Sequence, residues 1–240
     1  MTEIAYVGVS GFSYPSWRGR FYPDGMKSDE FLDHYSRNLD SVEINSSFYA
    51  QPKAVMVENW SKRTSGRFRF SFKAPKQITH ILKLGDGSSE AADKFSKVLD
   101  VLGPRRGPVL FQLPPYSKQD LKLLEKFLSE THAIKNRVFE FRHESWLNDS
   151  TYRLLDVQGA GFCIAETEDM RPTFRVTGEM AYFRLRKDSY DEKSIDEWAE
   201  RIGEASEGLR ERYVYLRHDE TGENAILAQM LSEKLRDIIQ

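Results

Sequence analysis

Strand-like and helix-like segments alternate along almost the whole chain, and this alternation limits the possible folds more than any other feature. The strand-like runs, rich in β-branched and aromatic residues, are residues 4–10, 41–48, 67–74, 107–113, 136–142, 161–166, 180–186 and 212–217. Segments with apolar residues three or four positions apart lie between them, at 28–38, 52–63, 89–102, 117–131, 149–157, 191–205 and 222–239. Because a helix follows nearly every strand, successive strands point the same way and form a parallel sheet.

Eight strands with about seven helices predict an α/β fold of the TIM-barrel-like (β/α)₈ type, with an open doubly wound sheet as the alternative. Pro172 and Gly178 leave little room for a helix after the sixth strand, so that helix is expected to be shortened or missing. No linker or repeat interrupts the 240 residues. We therefore expect one TIM-barrel-like domain over residues 1–240.

Several classes of protein are disfavoured by composition. The 35 Lys and Arg residues against 37 Asp and Glu give a net charge of −2, which does not support nucleic acid as a general partner, although a local basic patch stays open. We expect no membrane association, because no run of about 18 apolar residues occurs. A single cysteine, Cys163, and no visible secretion signal favour a cytoplasmic protein.

Polar and apolar residues alternate within several strands, although strands of a parallel sheet covered on both faces usually form continuous apolar runs. The polar positions are Glu43, Asn45, Ser71, Lys73, Gln112, Glu140, Arg142, Arg184 and Arg186. We expect this face to point towards the barrel axis and the aromatic face to pack under the helices. Most of these positions lie near the carboxyl ends of their strands, where TIM-barrel active sites are built.

Six of these side chains are charged, and four cations against two carboxylates give +2. They predict either an internal salt-bridge network or a ligand site. We favour the ligand site, because barrel interiors are usually filled with branched apolar residues.

A catalytic hypothesis follows from this inward face. Glu43 and Glu140 are the predicted acid–base pair, and Lys73 and Arg142 would tune them and bind substrate oxygens. If both carboxylates proved sealed from solvent with every oxygen paired, this catalytic hypothesis would be abandoned. A desolvated Lys73 could form a Schiff base, but with two glutamates available we favour a charged lysine.

The remaining candidates are substrate-binding residues, with no metal or cofactor expected. Arginines suit phosphate or carboxylate oxygens, and aromatic rings can stack on a sugar or a base. This set comprises Ser10, Tyr14, Trp17, Asn45, Tyr49, His80, Gln112, His143, Trp146, Arg184 and Arg186. The leading hypothesis is an enzyme for a small anionic or polyhydroxylated substrate, by hydrolase-like or lyase-like acid–base chemistry.

Short motifs in the first 150 residues resemble the DUF72 (YecE-like) family. They are GVSGFSY at 8–14, VEINSSFY at 42–49, FSFK at 70–73, LFQLPP at 110–115 and EFRHESW at 140–146. This resemblance implies a TIM-barrel-like fold and supplies no activity. The chain departs from the family pattern at Phe12, at Arg186-Lys187 and at His218.

Two other functions remain open. A non-catalytic module could bind a nucleotide or nucleic acid through the same arginines, lysine and aromatic rings. A metal-dependent phosphodiester hydrolase could use His80, His143 and His218 with nearby glutamates, although the basic side chains would oppose a cation.

Overall fold

A computed structural model describes residues 3–239, and its eight parallel strands close into a barrel in chain order. The strands are β1 (Ile4–Ser10), β2 (Ser41–Ile44), β3 (Arg69–Lys73), β4 (Arg106–Gln112), β5 (Arg137–Glu140), β6 (Gly161–Glu166), β7 (Met180–Leu185) and β8 (Glu211–Leu216). The first strand pairs with both β2 and β8, since Gly8 lies beside Ser41 on one side and Tyr215 on the other. The predicted closed barrel is thereby confirmed over the open sheet.

Seven α-helices surround the barrel within residues 3–239. They are α1 (Phe31–Asn38), α2 (Ala54–Arg63), α3 (Ser88–Leu99), α4 (Leu121–Glu130), α5 (Asp149–Val157), α6 (Glu192–Ala205) and α7 (Glu223–Ile238). Every residue of the stretch 167–179 is described and none is helical, which confirms the predicted loss of the helix after β6. None of the helices in the described part of the chain is long and apolar enough to cross a bilayer.

Some elements are shorter than the sequence predicts. Strand β2 ends at Ile44, and Ser46–Phe48 form a 3₁₀ turn instead of continuing it. The Ser47 hydroxyl lies 2.8 Å from the carbonyl oxygen of Ile44 and 2.7 Å from that of Lys73, so it links the ends of two strands. This turn sends the chain away from the barrel just after the polar face of β2.

The apolar residues form two separate cores. The outer core, between strands and helices, contains the aromatic faces of the strands, such as Phe70, Phe72 and Phe139. The inner core fills the barrel and consists of Tyr6, Leu110, Val138, Cys163, Ala165, Met180, Tyr182, Tyr213 and Tyr215. The predicted division of these strands into an aromatic outer face and a polar inner face is confirmed. The inner apolar residues pack beneath the polar groups at the strand ends.

Candidate functional site

Arg184 of β7 joins two carboxylates from other strands of the barrel. Its Nε and Nη2 atoms donate to Glu43 of β2 at 2.9 and 2.8 Å, and Nη1 donates to Oε2 of Glu140 of β5 at 2.5 Å. All three side chains are fully buried. The arginine therefore holds two strands in position from a third.

Glu43 has further donors on both oxygens. The Tyr182 hydroxyl donates to Oε1 at 2.8 Å, while Ser10 Oγ and Asn45 Nδ2 donate to Oε2 at 3.0 and 2.9 Å. Tyr182 lies two residues before Arg184 on β7, so both point inward from the same strand. No oxygen of Glu43 is left free.

The carboxylate of Glu140 is equally occupied. Gln112 Nε2 donates to its Oε1 atom at 2.8 Å, and Arg142 Nε forms an ion pair with the same oxygen, in a contact that falls outside hydrogen-bond geometry. Cys163 Sγ lies 4.0 Å from Oε2, the oxygen bound by Arg184. Glu140 thus has a partner at each oxygen.

The predicted acid–base pair is corrected on this geometry. Burial alone would raise the pKa of Glu43 and of Glu140, but Arg184 and the other donors hold both at about 2. Neither carboxylate has exposed surface. Both stay ionised near neutral pH and serve to orient the cations around them.

Lys73, at the end of β3, stands apart from this network of carboxylates. Its Nζ atom donates to Gln112 Oε1 at 2.7 Å and lies 4.1 Å from the centre of the Phe48 ring. Among residues 3–239, no carboxylate oxygen lies within 4.0 Å of it, contrary to the expected pairing with a glutamate. Burial and the nearby Arg184 lower the pKa of Lys73 to about 8.

Arg186 directly follows β7 and is the second cation without a carboxylate. Its Nη1 atom donates to Ser10 Oγ at 2.6 Å, and it has no ion pair in the described part of the chain. Burial and the charge of Arg184 lower the pKa of Arg186 to about 10. A partly buried guanidinium with one neutral partner is suited to an incoming anion.

Besides Arg142 Nε, two buried polar atoms near these residues have no hydrogen-bond partner within residues 3–239. They are Oδ1 of Asn45 and Nδ1 of His218. The His218 ring stacks on Tyr14 with centroids 4.8 Å apart, and the Tyr14 hydroxyl donates to the Ser10 carbonyl at 2.7 Å. Burial and Arg186 lower the pKa of His218, which favours the neutral ring. Such atoms are candidates for contact with a ligand.

A cavity of about 470 Å³ opens beside Arg142. Its polar lining residues are His80, Gln112, Arg142, His143, Glu144, Thr167 and Asp169, and its apolar ones include Leu147 and Met170. Its size lies within the range of small-molecule sites. We call the charged cluster below and beside it, Glu43, Lys73, Glu140, Arg142, Arg184 and Arg186, the strand-end site.

Almost the whole chain matches one protein family. A family model described as "Protein of unknown function DUF72" matches residues 6–239. The chain belongs to the DUF72 family. The motifs that resembled this family in the sequence supply most of the strand-end site, including Glu43, Lys73 and Arg142.

Two relatives named as UPF0759 proteins resemble this chain along different lengths. The UPF0759 protein YecE of Escherichia coli is 32% identical over 141 residues, which are 58% of this chain and 49% of YecE, so the chain matches about half of that relative. YunF of Bacillus subtilis is 22% identical over 97% of this chain and 95% of its own length.

Solved structures agree with the barrel. A DUF72 family protein from Thermotoga maritima has a TM-score of 0.86 and 27% identity, with 98% of this chain and 100% of that chain covered. One from Enterococcus faecalis has a TM-score of 0.75 and 16% identity, covering 98% of each. A D-psicose 3-epimerase from Clostridium cellulolyticum reaches 0.60 at 10% identity over 98% of this chain and 99% of that one, a likeness of fold alone.

Two of the predicted aromatic residues of this DUF72 protein are buried. Trp17 has no exposed surface and donates from Nε1 to the Asp219 carbonyl at 2.8 Å. Trp146 stacks on Phe141 at 4.4 Å. Neither indole ring can stack on a ligand as predicted, because both rings are buried.

Three further predicted binding residues, Tyr49, His80 and His143, lie beyond the ends of the strands. Tyr49 is 75% exposed. His143 accepts the backbone N–H of Ser145 at 3.1 Å and so caps a short turn, while His80 meets the Phe48 ring edge-on at 4.8 Å. His80 and His143 both line the cavity, and Tyr49 lies outside it.

Sequence reasoning missed Tyr182 and Phe48 in this DUF72 chain. Tyr182 lies on the same face as Arg184 by the two-residue period of a strand, a signal that was available. Phe48 lies outside β2, on the 3₁₀ turn. Its position under Lys73 depends on that turn and had no sequence signal.

The structure of the DUF72 protein also bears on the metal alternative and on the start of α7, where TIM barrels often bind phosphate. No group of three or more His, Cys, Asp or Glu side chains suited to a metal ion occurs in residues 3–239. At the start of α7, the Asp219 carboxylate accepts the backbone N–H groups of Thr221, Glu223 and Asn224 at 3.1 Å each. That helix terminus is already occupied by an anion of the chain itself.

Proposed function

We propose that this protein is an enzyme that acts on a small anionic substrate bound at the carboxyl ends of the barrel strands. The observation that carries the proposal is the excess of cations at the strand-end site. Four cations against two carboxylates give +4 − 2 = +2, and Lys73 and Arg186 have no carboxylate partner within the described residues. A buried surplus of charge is costly unless it serves a ligand.

Each residue of the strand-end site has a distinct role in this proposal. Arg186 and Arg142 bind substrate oxygens through paired N–H groups. Lys73, with its lowered pKa of about 8, accepts or donates the proton during the reaction. A hydroxyl group on the substrate would give Asn45 Oδ1 the hydrogen bond it lacks. The carboxylates of Glu43 and Glu140 hold these groups in place through Arg184.

Thermal unfolding in the presence of small anions tests the binding step. Inorganic phosphate, citrate and glucose 6-phosphate are expected to raise the melting temperature of the wild type, whereas glucose at the same concentration has a smaller effect. R186Q should lose most of the increase, because it removes the unpaired guanidinium. R20Q is the matched control, since Arg20 lies in an exposed ion pair with Glu223 and makes no contact with the residues of the strand-end site.

An equal increase in R186Q and R20Q would contradict the proposal. The alternative, a non-catalytic module for a nucleotide or nucleic acid, uses the same cations and the exposed ring of Tyr49. Affinity for an oligonucleotide that falls steeply with salt, with no preference for small anions, would favour that module.

A further inference from the structure

We propose that Lys73 forms a Schiff base with the substrate, which makes the substrate class a small anion that carries an aldehyde or ketone group, such as a 2-oxo acid or a phosphorylated ketose. This inference rests on the proposed function, because it uses the same strand-end site. It adds a covalent step and a required chemical group.

The environment of Lys73 is that of an amine nucleophile. The side chain projects from the last residue of β3, a fixed position in the barrel. Its one hydrogen-bond partner, Gln112, is held by Glu140 through the other end of the same amide. The carboxylates that could have kept it charged are taken by Arg184 and other donors. Lys73 as a residue is only partly buried.

Neighbouring charges support the neutral amine. Arg184 and Arg186 both act to lower the pKa of Lys73, burial acts more strongly in the same direction, and the two glutamates oppose them. With a pKa of about 8, roughly one tenth of the molecules carry a neutral amine at pH 7, against fewer than about one in a thousand for an ordinary lysine. Desolvation beside other cations is a known way to activate a lysine towards carbonyl compounds.

The covalent step balances without any further reactant. The neutral Nζ attacks the carbonyl carbon, a C–N bond forms, and the carbonyl oxygen takes up a proton as the nitrogen loses one. The proton that the lysine released on becoming neutral is taken up by that oxygen, which leaves as water, and the nitrogen lone pair forms the C=N bond of an iminium ion. Addition of water reverses these steps and frees the lysine.

The surroundings can hold the rest of such a substrate. Arg142 and Gln112 line the cavity of about 470 Å³, and Gln112 also accepts a hydrogen bond from Lys73, so one side chain separates the amine from the cavity. Anionic groups would meet Arg142 and Arg186. The iminium ion, once formed, would keep the Gln112 carbonyl oxygen as its hydrogen-bond acceptor.

Reductive trapping tests the covalent step. Wild-type protein is incubated with glyoxylate, pyruvate or dihydroxyacetone phosphate and sodium cyanoborohydride, and peptide mass spectrometry locates the added mass. We expect Lys73 to be modified at least tenfold faster than the exposed Lys94. K73R should show no adduct at that position and still gain stability from phosphate, because the cation is retained.

A second measurement does not depend on the choice of carbonyl compound. Trace labelling with acetic anhydride between pH 6 and 11 follows the reactivity of each lysine. Half-maximal labelling of Lys73 is expected near pH 8. A midpoint near 10.4, the value of a free lysine, would overturn the inference.

The outcomes separate this inference from the proposed function. Stabilisation by phosphate with no faster trapping at Lys73 than at Lys94 would overturn the Schiff base and leave the anion site standing. Loss of anion-induced stabilisation in the wild type would contradict the proposed function itself. Near-ultraviolet circular dichroism of K73R establishes that the variant is folded.

Discussion

At the scale of single residues, the interior charges form a network in which each carboxylate depends on Arg184. A buried ion pair contributes little net stability over an apolar pair, but removing one partner leaves an uncompensated charge. Glu140 is the clearest example, because removal of its carboxylate takes a partner from Arg184 Nη1, Arg142 and the Gln112 amide at once. The network therefore resists substitution even where it takes no part in chemistry.

We expect E140Q to lower the free energy of unfolding by about 3 kcal/mol or more, because Arg184 and Arg142 lose their shared counter-charge. Urea unfolding at pH 7 measures this. E90Q is the matched control, since Glu90 forms an exposed ion pair with Lys94 and should change stability by less than about 1 kcal/mol. Equal stability of E140Q and the wild type would show that Glu140 is not part of a structural network.

The inward face was predictable from the sequence, but the pairing within it was not. Strand alternation places Glu43, Lys73 and Glu140 on the axis side, and the structure agrees. It does not tell which side chains meet across the barrel, because that depends on strand tilt and side-chain reach. The sequence therefore predicts Arg184 as a substrate ligand, whereas in the structure it is a buried link between two glutamates.

At the scale of helices and strands, local hydrogen bonds decide where each element begins. The sequence predicts the fourth helix over residues 117–131, but α4 begins at Leu121, and the Asp120 side chain accepts the backbone N–H of Leu123 at 2.9 Å. The Ser117 carbonyl instead accepts the indole N–H of Trp146. Apolar periodicity predicts which face of a helix is buried more reliably than it predicts the first residue of the helix, since several polar residues near the start can act as the N-cap.

We expect D120A to cost about 1 kcal/mol in the free energy of unfolding, because an N-terminal N–H of α4 loses its acceptor. S117A provides the control and should change stability by less than about 0.5 kcal/mol, since only its backbone is engaged. Chemical unfolding of the two variants side by side measures the difference. A larger loss in S117A than in D120A would contradict the observed start of α4.

At the scale of the whole molecule, barrel closure brings residues from distant parts of the chain together in one interior. Closure and the count of strands followed from the sequence, as did the missing helix after β6. The ends of β2 and the position of Phe48 did not, because they depend on a hydroxyl that bridges two strands. Sequence patterns specify which elements exist, and tertiary contacts specify where they stop.

We expect the protein to lose stability as the pH falls from about 4.5 towards 2. The pKa of Glu43 and of Glu140 is about 2 in the folded state and 4.5 otherwise, so their ionised forms stabilise the fold above pH 4.5. Protonation on the way down removes on the order of 3 kcal/mol for each carboxylate. Urea unfolding at pH 6, 4.5 and 3 measures the slope.

E43Q serves as the comparison for this slope. It should be less stable than the wild type at pH 6 and show a shallower decline, because it has one fewer carboxylate to protonate. Parallel declines in the two proteins would mean that other acids govern the unfolding.

The link made by Arg184 also has a consequence for the order of synthesis. Glu43 precedes Arg184 by 141 residues and Glu140 precedes it by 44, so both carboxylates are synthesised before Arg184, and Glu140 has only Arg142 as its cation until then. A nascent chain that ends before β7 would have to bury two anions without Arg184, which is strongly unfavourable. The barrel interior of this protein is therefore completed only when its last quarter has emerged, and the earlier strands must wait for it in a hydrated, incompletely packed state.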